Sequence, residues 1–230
     1  MRFHAEGAGG AELIIYINCI LRVLSELCVR FFLQTLYLTV PTKSFKLQPM
    51  SQFNYGADQL TAGKAIAIAS GQLKAVLNRQ TVARINASQQ HVQQIVASGK
   101  TVYGVNTGFG ILANTAISAG DTATLQYKLL QSHSVGVGDP LPVEVAKLMM
   151  ITKVHALARG YSGVQLSTIE RIIWHIENNV IPVVPEKGSV GASGDLAPLA
   201  HLFLPLIGLG EVFYKDKIQN SKDVLKQLDL

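Results

Sequence analysis

Ala192, Ser193 and Gly194 stand in line within the run GSVGASGDLAPLAH, residues 188–201. These three residue types, in this order, could build an electrophile from backbone alone. Attack of the Gly194 nitrogen on the Ala192 carbonyl carbon would close a five-membered ring across Ser193. Loss of one water there, and of the Ser193 hydroxyl as a second, would leave an exocyclic methylene conjugated with the ring. Gly194 has no Cβ, so its nitrogen can approach closely and its φ is unrestricted. Ala192 leaves the attacked carbonyl uncrowded, and Gly188 and Gly191 give the bend room. Asp195 sets an anion beside the reacting amides, where it could hold geometry or move protons. The competing reading is a glycine-rich turn leading into a helix, with Asp195 near the helix N-terminus.

Two further segments carry side chains able to serve such a centre. Tyr103 opens the run YGVNTGFG, residues 103–110, whose glycines and Asn106 can take turn geometries closed to bulkier residues. Ser132 and His133 lie in LQYKLLQSHSVGVGDPL, residues 125–141. An imidazole there can bond a polar ligand, or cap the end of a helix. His91, His155 and His175 fall within helical patterns and read as structural imidazoles. His201, seven residues past Gly194, belongs on the helix that follows.

The elements that must position these residues read as mainly helical. From Leu60 to Leu77 apolar residues recur at three- and four-residue steps. A second helix runs from about Thr81 or Ser88 to Ser98, with Gly99 at its C-terminal cap. Residues 101–112 break the periodicity. A third helix spans Thr122 to His133, and Gly136 and Gly138 punctuate its end. A fourth starts near Pro142, with Val145, Leu148, Met149, Thr152 and Ala156 along one side. The fifth carries a capping-box pattern, Ser167-Thr168-Ile169-Glu170, and stops at Asn178-Asn179. Strand candidates are short: Val102–Val105, Ile181–Val184 and Glu211–Tyr214.

Composition narrows the classes. The chain has 230 residues, 48% of them hydrophobic and only 15% charged. A lean surface of that kind fits an exterior that meets other subunits. The net charge of +5 comes without a Lys/Arg block, zinc spacing or stacking-aromatic pattern, so no nucleic-acid partner is expected. Phosphate-cradling glycine motifs are lacking, and no metal site is expected. Cys19 and Cys28 form no framework, which fits a reducing compartment, and the expected location is the cytoplasm. Residues 13–40 are apolar but interrupted by Arg22, Glu26 and Arg30, so no membrane span is expected. Residues 1–50 read as an extension upstream of a first residue at Met50, and 51–230 as the domain that holds the chemistry.

The run 188–201 resembles the signature of the aromatic amino acid ammonia-lyases, whose members form 4-methylidene-imidazole-5-one from Ala-Ser-Gly. Residues 103–110 resemble the loop of that family's catalytic tyrosine, and the two blocks occur in the family's order. Within the family, Ser-His at 132–133 resembles the histidine-specific branch, and so does Glu186-Lys187-Gly188-Ser189-Val190-Gly191. The resemblance implies the front part of a helical-bundle fold with a loop-rich active-site domain. It implies a group made from Ala192, Ser193 and Gly194, with no external cofactor. Tyr103 would act as catalytic base and Asp195 would belong to the catalytic set, with Ser132, His133 and Asn106 on the substrate. The reaction implied is non-oxidative deamination of L-histidine to trans-urocanate and ammonia, in a homotetramer whose sites draw on three subunits. Tyrosine or phenylalanine ammonia-lyases and aminomutases of the same family are the alternatives. A non-catalytic fragment that associates with intact subunits is another. The resemblance runs from about Phe53 to Leu230, read as the front half of a family member, so the chain alone is expected to be inactive.

Overall fold

The structure is a computed structural model that describes residues 52–107, 117 and 119–230. Residues 1–50, and with them the expected start at Met50, lie outside the described residues. Chain order is β1 Phe53–Asn54, α1 Ala62–Ala69, β2 Ala75–Val76, α2 Arg79–Ala97, α3 Ala119–His133, β3 Val137–Pro140, α4 Val143–Leu157, α5 Leu166–Glu177, β4 Ile181–Pro182 and β5 Pro185–Lys187. A 3₁₀ turn at Gly191–Ser193, α6 Leu196–Phe203, a second 3₁₀ turn at Leu204–Ile207, β6 Glu211–Tyr214, β7 Lys217–Asn220 and α7 Ser221–Gln227 complete it. The mainly α expectation holds.

The first helix is shorter than its apolar spacing predicts. Thr61 caps it by accepting from the Lys64 N–H at 3.3 Å. It ends at Ser70, where Gly71 takes a φ of +77°. The apolar residues after that break form β2, which pairs in parallel with β1. The Phe53 and Tyr55 N–H groups donate to Lys74 and Val76 carbonyls at 2.8 and 2.9 Å, and both rings are buried. Asn78 caps α2 through Thr81 N–H at 2.8 Å, and Gly99 follows the last turn at φ +69°.

The core lies mainly between α4 and α5, closed by α1 on one side and α6 on another. The buried side of α4 differs from the expected one. Ala146, Met150, Ile151, Lys153, Val154 and Leu157 are buried, while Leu148, Met149 and Ala156 are only half-buried. This helix is apolar on nearly every side, so its sequence offers little contrast from which to read a face. α5 is strongly amphipathic and buries Ile169, Ile172 and Ile176, as its spacing requires. Its capping box does not form. The helix starts two residues earlier, Gln165 is the cap residue, and the Ser167 hydroxyl donates to Gln165 Oε1 at 3.3 Å.

A three-stranded antiparallel sheet, ordered β4-β6-β7, carries the C-terminal part. Lys215 and Asp216 at φ +50° and +59° make the tight hairpin between β6 and β7. The expected strand at Val102–Val105 is a turn instead, because Gly104 takes a φ of +78°. β3 and β5, both unpredicted, form an antiparallel pair that joins the segment after His133 to the segment before Ala192.

Candidate active site

β5 delivers the chain to Gly188, and α6 takes it away from Asp195. Between them Gly191–Ser193 form one 3₁₀ turn, in which the Gly194 N–H donates to the Gly191 carbonyl at 3.1 Å. Helical φ and ψ at Ser193 shorten the path from the Gly194 nitrogen to the Ala192 carbonyl carbon relative to extended chain. Gly194 sits at φ +82°, ψ +31°, a conformation that a Cβ would penalise. Ala192 is exposed and Gly194 buried. A Cβ built on Gly191 would meet nothing within 4 Å, so the outer side of the turn is open.

Asp195 is left-handed as well, at φ +57° and ψ +40°. It occupies the N-cap position of α6, yet its carboxylate caps no N–H of that helix. Instead the Ser189 hydroxyl donates to Asp195 Oδ1, and the Asp195 N–H donates to the Val190 carbonyl at 3.2 Å.

The segment holding Ser132 and His133 lies against this loop. α3 packs on α6, and Gly136, three residues beyond His133, donates its N–H to His201 Nε2 at 3.1 Å. A Cβ on Gly136 would stand 3.2 Å from the His201 ring and 3.2 Å from the Lys187 carbonyl. A Cβ on Gly188 would meet the Gly136 Cα at 3.0 Å. Glycine at both positions is what permits this approach. Burial lowers the His201 pKa, which favours the neutral ring whose Nε2 lone pair accepts. His201 and Gly136 are the residues that sequence reading missed. Their signal was weak: His201 lies two helical turns past Gly194, and Gly136 read as punctuation.

His133 is half-buried at the last turn of α3. Its Nδ1 lies 2.9 Å from the Leu129 carbonyl and 3.1 Å from Ser132 Oγ, which itself donates to Leu129 O at 3.1 Å. A carbonyl only accepts, so Nδ1 donates to it, and Nε2 takes no part in that helix-end bond.

Tyr103 sits on the turn between Lys100 and Thr107, two-fifths exposed. The side chain of Asn106 builds this turn: Oδ1 accepts from Val102 N–H and Nδ2 donates to the Lys100 carbonyl, both at 2.8 Å. Thr107 Oγ1 accepts from Gly104 N–H at 3.3 Å. Gly108, Phe109 and Gly110, the rest of this block, lie outside the described residues.

The remaining imidazoles differ among themselves. His175 is buried and donates from Nδ1 to the Val180 carbonyl at 2.9 Å; its Nε2 has no partner among the described residues. His155 accepts the Gly56 N–H at 3.2 Å. His91 is exposed on α2 and takes no structural bond among the described residues. Among the described residues no cluster of metal-ligating side chains occurs, and no helix is long and apolar enough to cross a membrane.

This helical domain, with its Gly-Ala-Ser-Gly turn at the head of a short helix, has the fold of the ammonia-lyases. It superposes on the crystal structure of histidine ammonia-lyase from Trypanosoma cruzi with a TM-score of 0.70 and 34% identity, covering 77% of this chain and 34% of that one. The chain belongs to the aromatic amino acid lyase family, whose model matches residues 60–230. It is 44% identical over 172 residues to a histidine ammonia-lyase of Streptococcus pyogenes, covering 75% of this chain and 34% of that protein. It is 45% identical over 170 residues to one of Caldanaerobacter subterraneus, covering 74% and 34%. The chain thus spans about a third of the length of these relatives, less than the half that its motifs implied.

Proposed function

We propose that the protein is the electrophile-bearing front part of a histidine ammonia-lyase. In this reading it converts L-histidine to trans-urocanate and ammonia without oxidation. The observation that carries it is the bond from Gly136 N–H to His201 Nε2, which ties the segment after His133 to the helix that follows the Ala192-Ser193-Gly194 turn.

The residues of the turn fit a methylidene-imidazolone. Gly194 holds a φ that bulkier residues avoid, and the turn already draws the Gly194 nitrogen toward Ala192. Ring closure joins the Gly194 nitrogen to the Ala192 carbonyl carbon. The Gly194 proton passes to the former carbonyl oxygen, which leaves as water with the proton from the Ser193 nitrogen. The Ser193 Cα proton and hydroxyl leave as the second water. The group so formed supplies an electrophile for the substrate amine or aromatic ring, and eases departure of ammonia.

The chain's own side chains then divide the work. Tyr103, on its glycine turn, takes the β-proton. His133 Nε2 accepts the N–H of a substrate imidazole, a bond that a phenyl ring cannot return. Asn106 shapes the loop that carries Tyr103 and lines the substrate side. A homotetramer located in the cytoplasm belongs to the same reading.

Val190 and Ala192 are exposed, so in this chain the turn faces solvent and water is not excluded from it. The 230-residue chain alone should therefore give no urocanate. Continued through the remaining length of its relatives, it should produce the urocanate absorbance from L-histidine. Product from tyrosine or phenylalanine and none from histidine would overturn the substrate assignment. Turnover by the 230-residue chain itself would overturn the need for the rest.

A further inference from the structure

The geometry points to Ser189 as a positioning residue for ring closure, an inference that rests on the electrophile reading above. Three bonds nest within the loop that runs from Ser189 to Asp195. The innermost joins Gly194 N–H to the Gly191 carbonyl at 3.1 Å, and the next joins Asp195 N–H to the Val190 carbonyl at 3.2 Å. The outermost joins the Ser189 hydroxyl to Asp195 Oδ1. Together they close the loop at its base and leave its tip, with Ala192, facing outward.

The position of Asp195 shows what the outer bond does. Aspartate at a helix N-cap ordinarily accepts from an N–H of the first turn, and this one does not. Its left-handed backbone, uncommon for a non-glycine residue, turns the N–H back to Val190 and the carboxylate back to Ser189. A good helix cap has been given over to closing the loop. Gly194 is left-handed too, so two successive residues hold this conformation. Local strain of that kind persists only where surrounding bonds over-determine it. Val190 and Ser189 are both exposed, so packing alone does not hold the base shut. The bond from a hydroxyl to a carboxylate is of the stronger, charge-assisted kind.

Ser189 therefore acts through Asp195 and touches no reacting atom. Its hydroxyl fixes the base of the loop and so shortens the excursion by which the Gly194 nitrogen must reach the Ala192 carbonyl carbon. Ser189→Ala opens the base, whereas Ser189→Thr keeps the hydroxyl.

The test is mass spectrometry on the chain, both as its 230 residues and continued through its relatives' length. Loss of two waters is localised to a peptide spanning 192–194 and followed with time after synthesis. Where the parent loses both waters, S189A should do so at least about tenfold more slowly, the scale of one charge-assisted hydrogen bond. S189T should stay near the parent rate. Far-ultraviolet circular dichroism separates this from unfolding, since a merely structural defect would lower helix content and would not track the hydroxyl. Should S189A dehydrate as fast as the parent, the positioning role is overturned while the electrophile reading stands. A parent that keeps its full mass in both forms overturns the electrophile reading, and the positioning role with it.

Discussion

The glycines of this chain separate conformational need from spatial need, residue by residue. Gly56 and Gly71 have nearly the same φ, +74° and +77°. A Cβ on Gly56 would lie 2.3 Å from the Ala158 carbonyl oxygen, whereas one on Gly71 would meet nothing within 4 Å. Gly71→Ala should cost only the left-handed strain, about 1–2 kcal/mol. Gly56→Ala should add overpacking against backbone that cannot swing away, for a total of roughly 2–5 kcal/mol. Gly56 also donates to His155 and accepts from Arg84 at 3.1 Å, so displacing it breaks two long-range bonds. Urea midpoints of the two variants, compared at one m-value, check the difference. Equal losses would show that the Ala158 contact relaxes freely.

At the level of elements, caps and amphipathic faces behave unequally. The cap of α2 is local: Asn78 accepts from Thr81 three residues on, and the pattern needs nothing from the rest of the fold. Asn78→Ala should therefore cost about 1 kcal/mol, a fall in melting temperature of about 3 °C. Scanning calorimetry would read it, and no change would mean that Thr81 N–H finds another acceptor. For α5 the sequence offers Ser167 and Glu170 as a box, but the chain enters the helix two residues earlier, and the box is displaced into the first turn. α4 shows the converse limit. Its apolar surface extends nearly all round, so α1 and α5 decide which residues are buried.

Stability of the whole molecule against acid turns on His175. Burial lowers its pKa from 6.5 to about 4, against the bond to the Val180 carbonyl, which raises it. Below pH 6.5 the unfolded chain binds a proton that the folded chain refuses, so stability is full above that pH. It declines as pH falls toward about 4, by on the order of 3 kcal/mol. Urea midpoints between pH 7 and pH 4 should show that slope, and His175→Leu should flatten it while lowering stability at neutral pH. An unchanged slope in the variant would assign the acid sensitivity to other groups. The sequence alone determined the parts that depend on neighbours in the chain. These include the helical class, the Asn178-Asn179 stop of α5, the β6 strand and the three motif blocks with their residue identities. Tertiary structure decided what depends on distant partners: the side of α4 that is buried, the β1–β2 and β3–β5 pairings, and the turn at Tyr103 in place of a strand. It also decided that Asp195 bonds back to Ser189 instead of capping α6, and that Gly136 and His201, 65 residues apart, tie the segment after His133 to the helix that follows the Ala-Ser-Gly turn. The physical reason is range. Propensity and periodicity act within a few residues, while a contact between glycines and an imidazole from separate elements exists only once the core has brought them together.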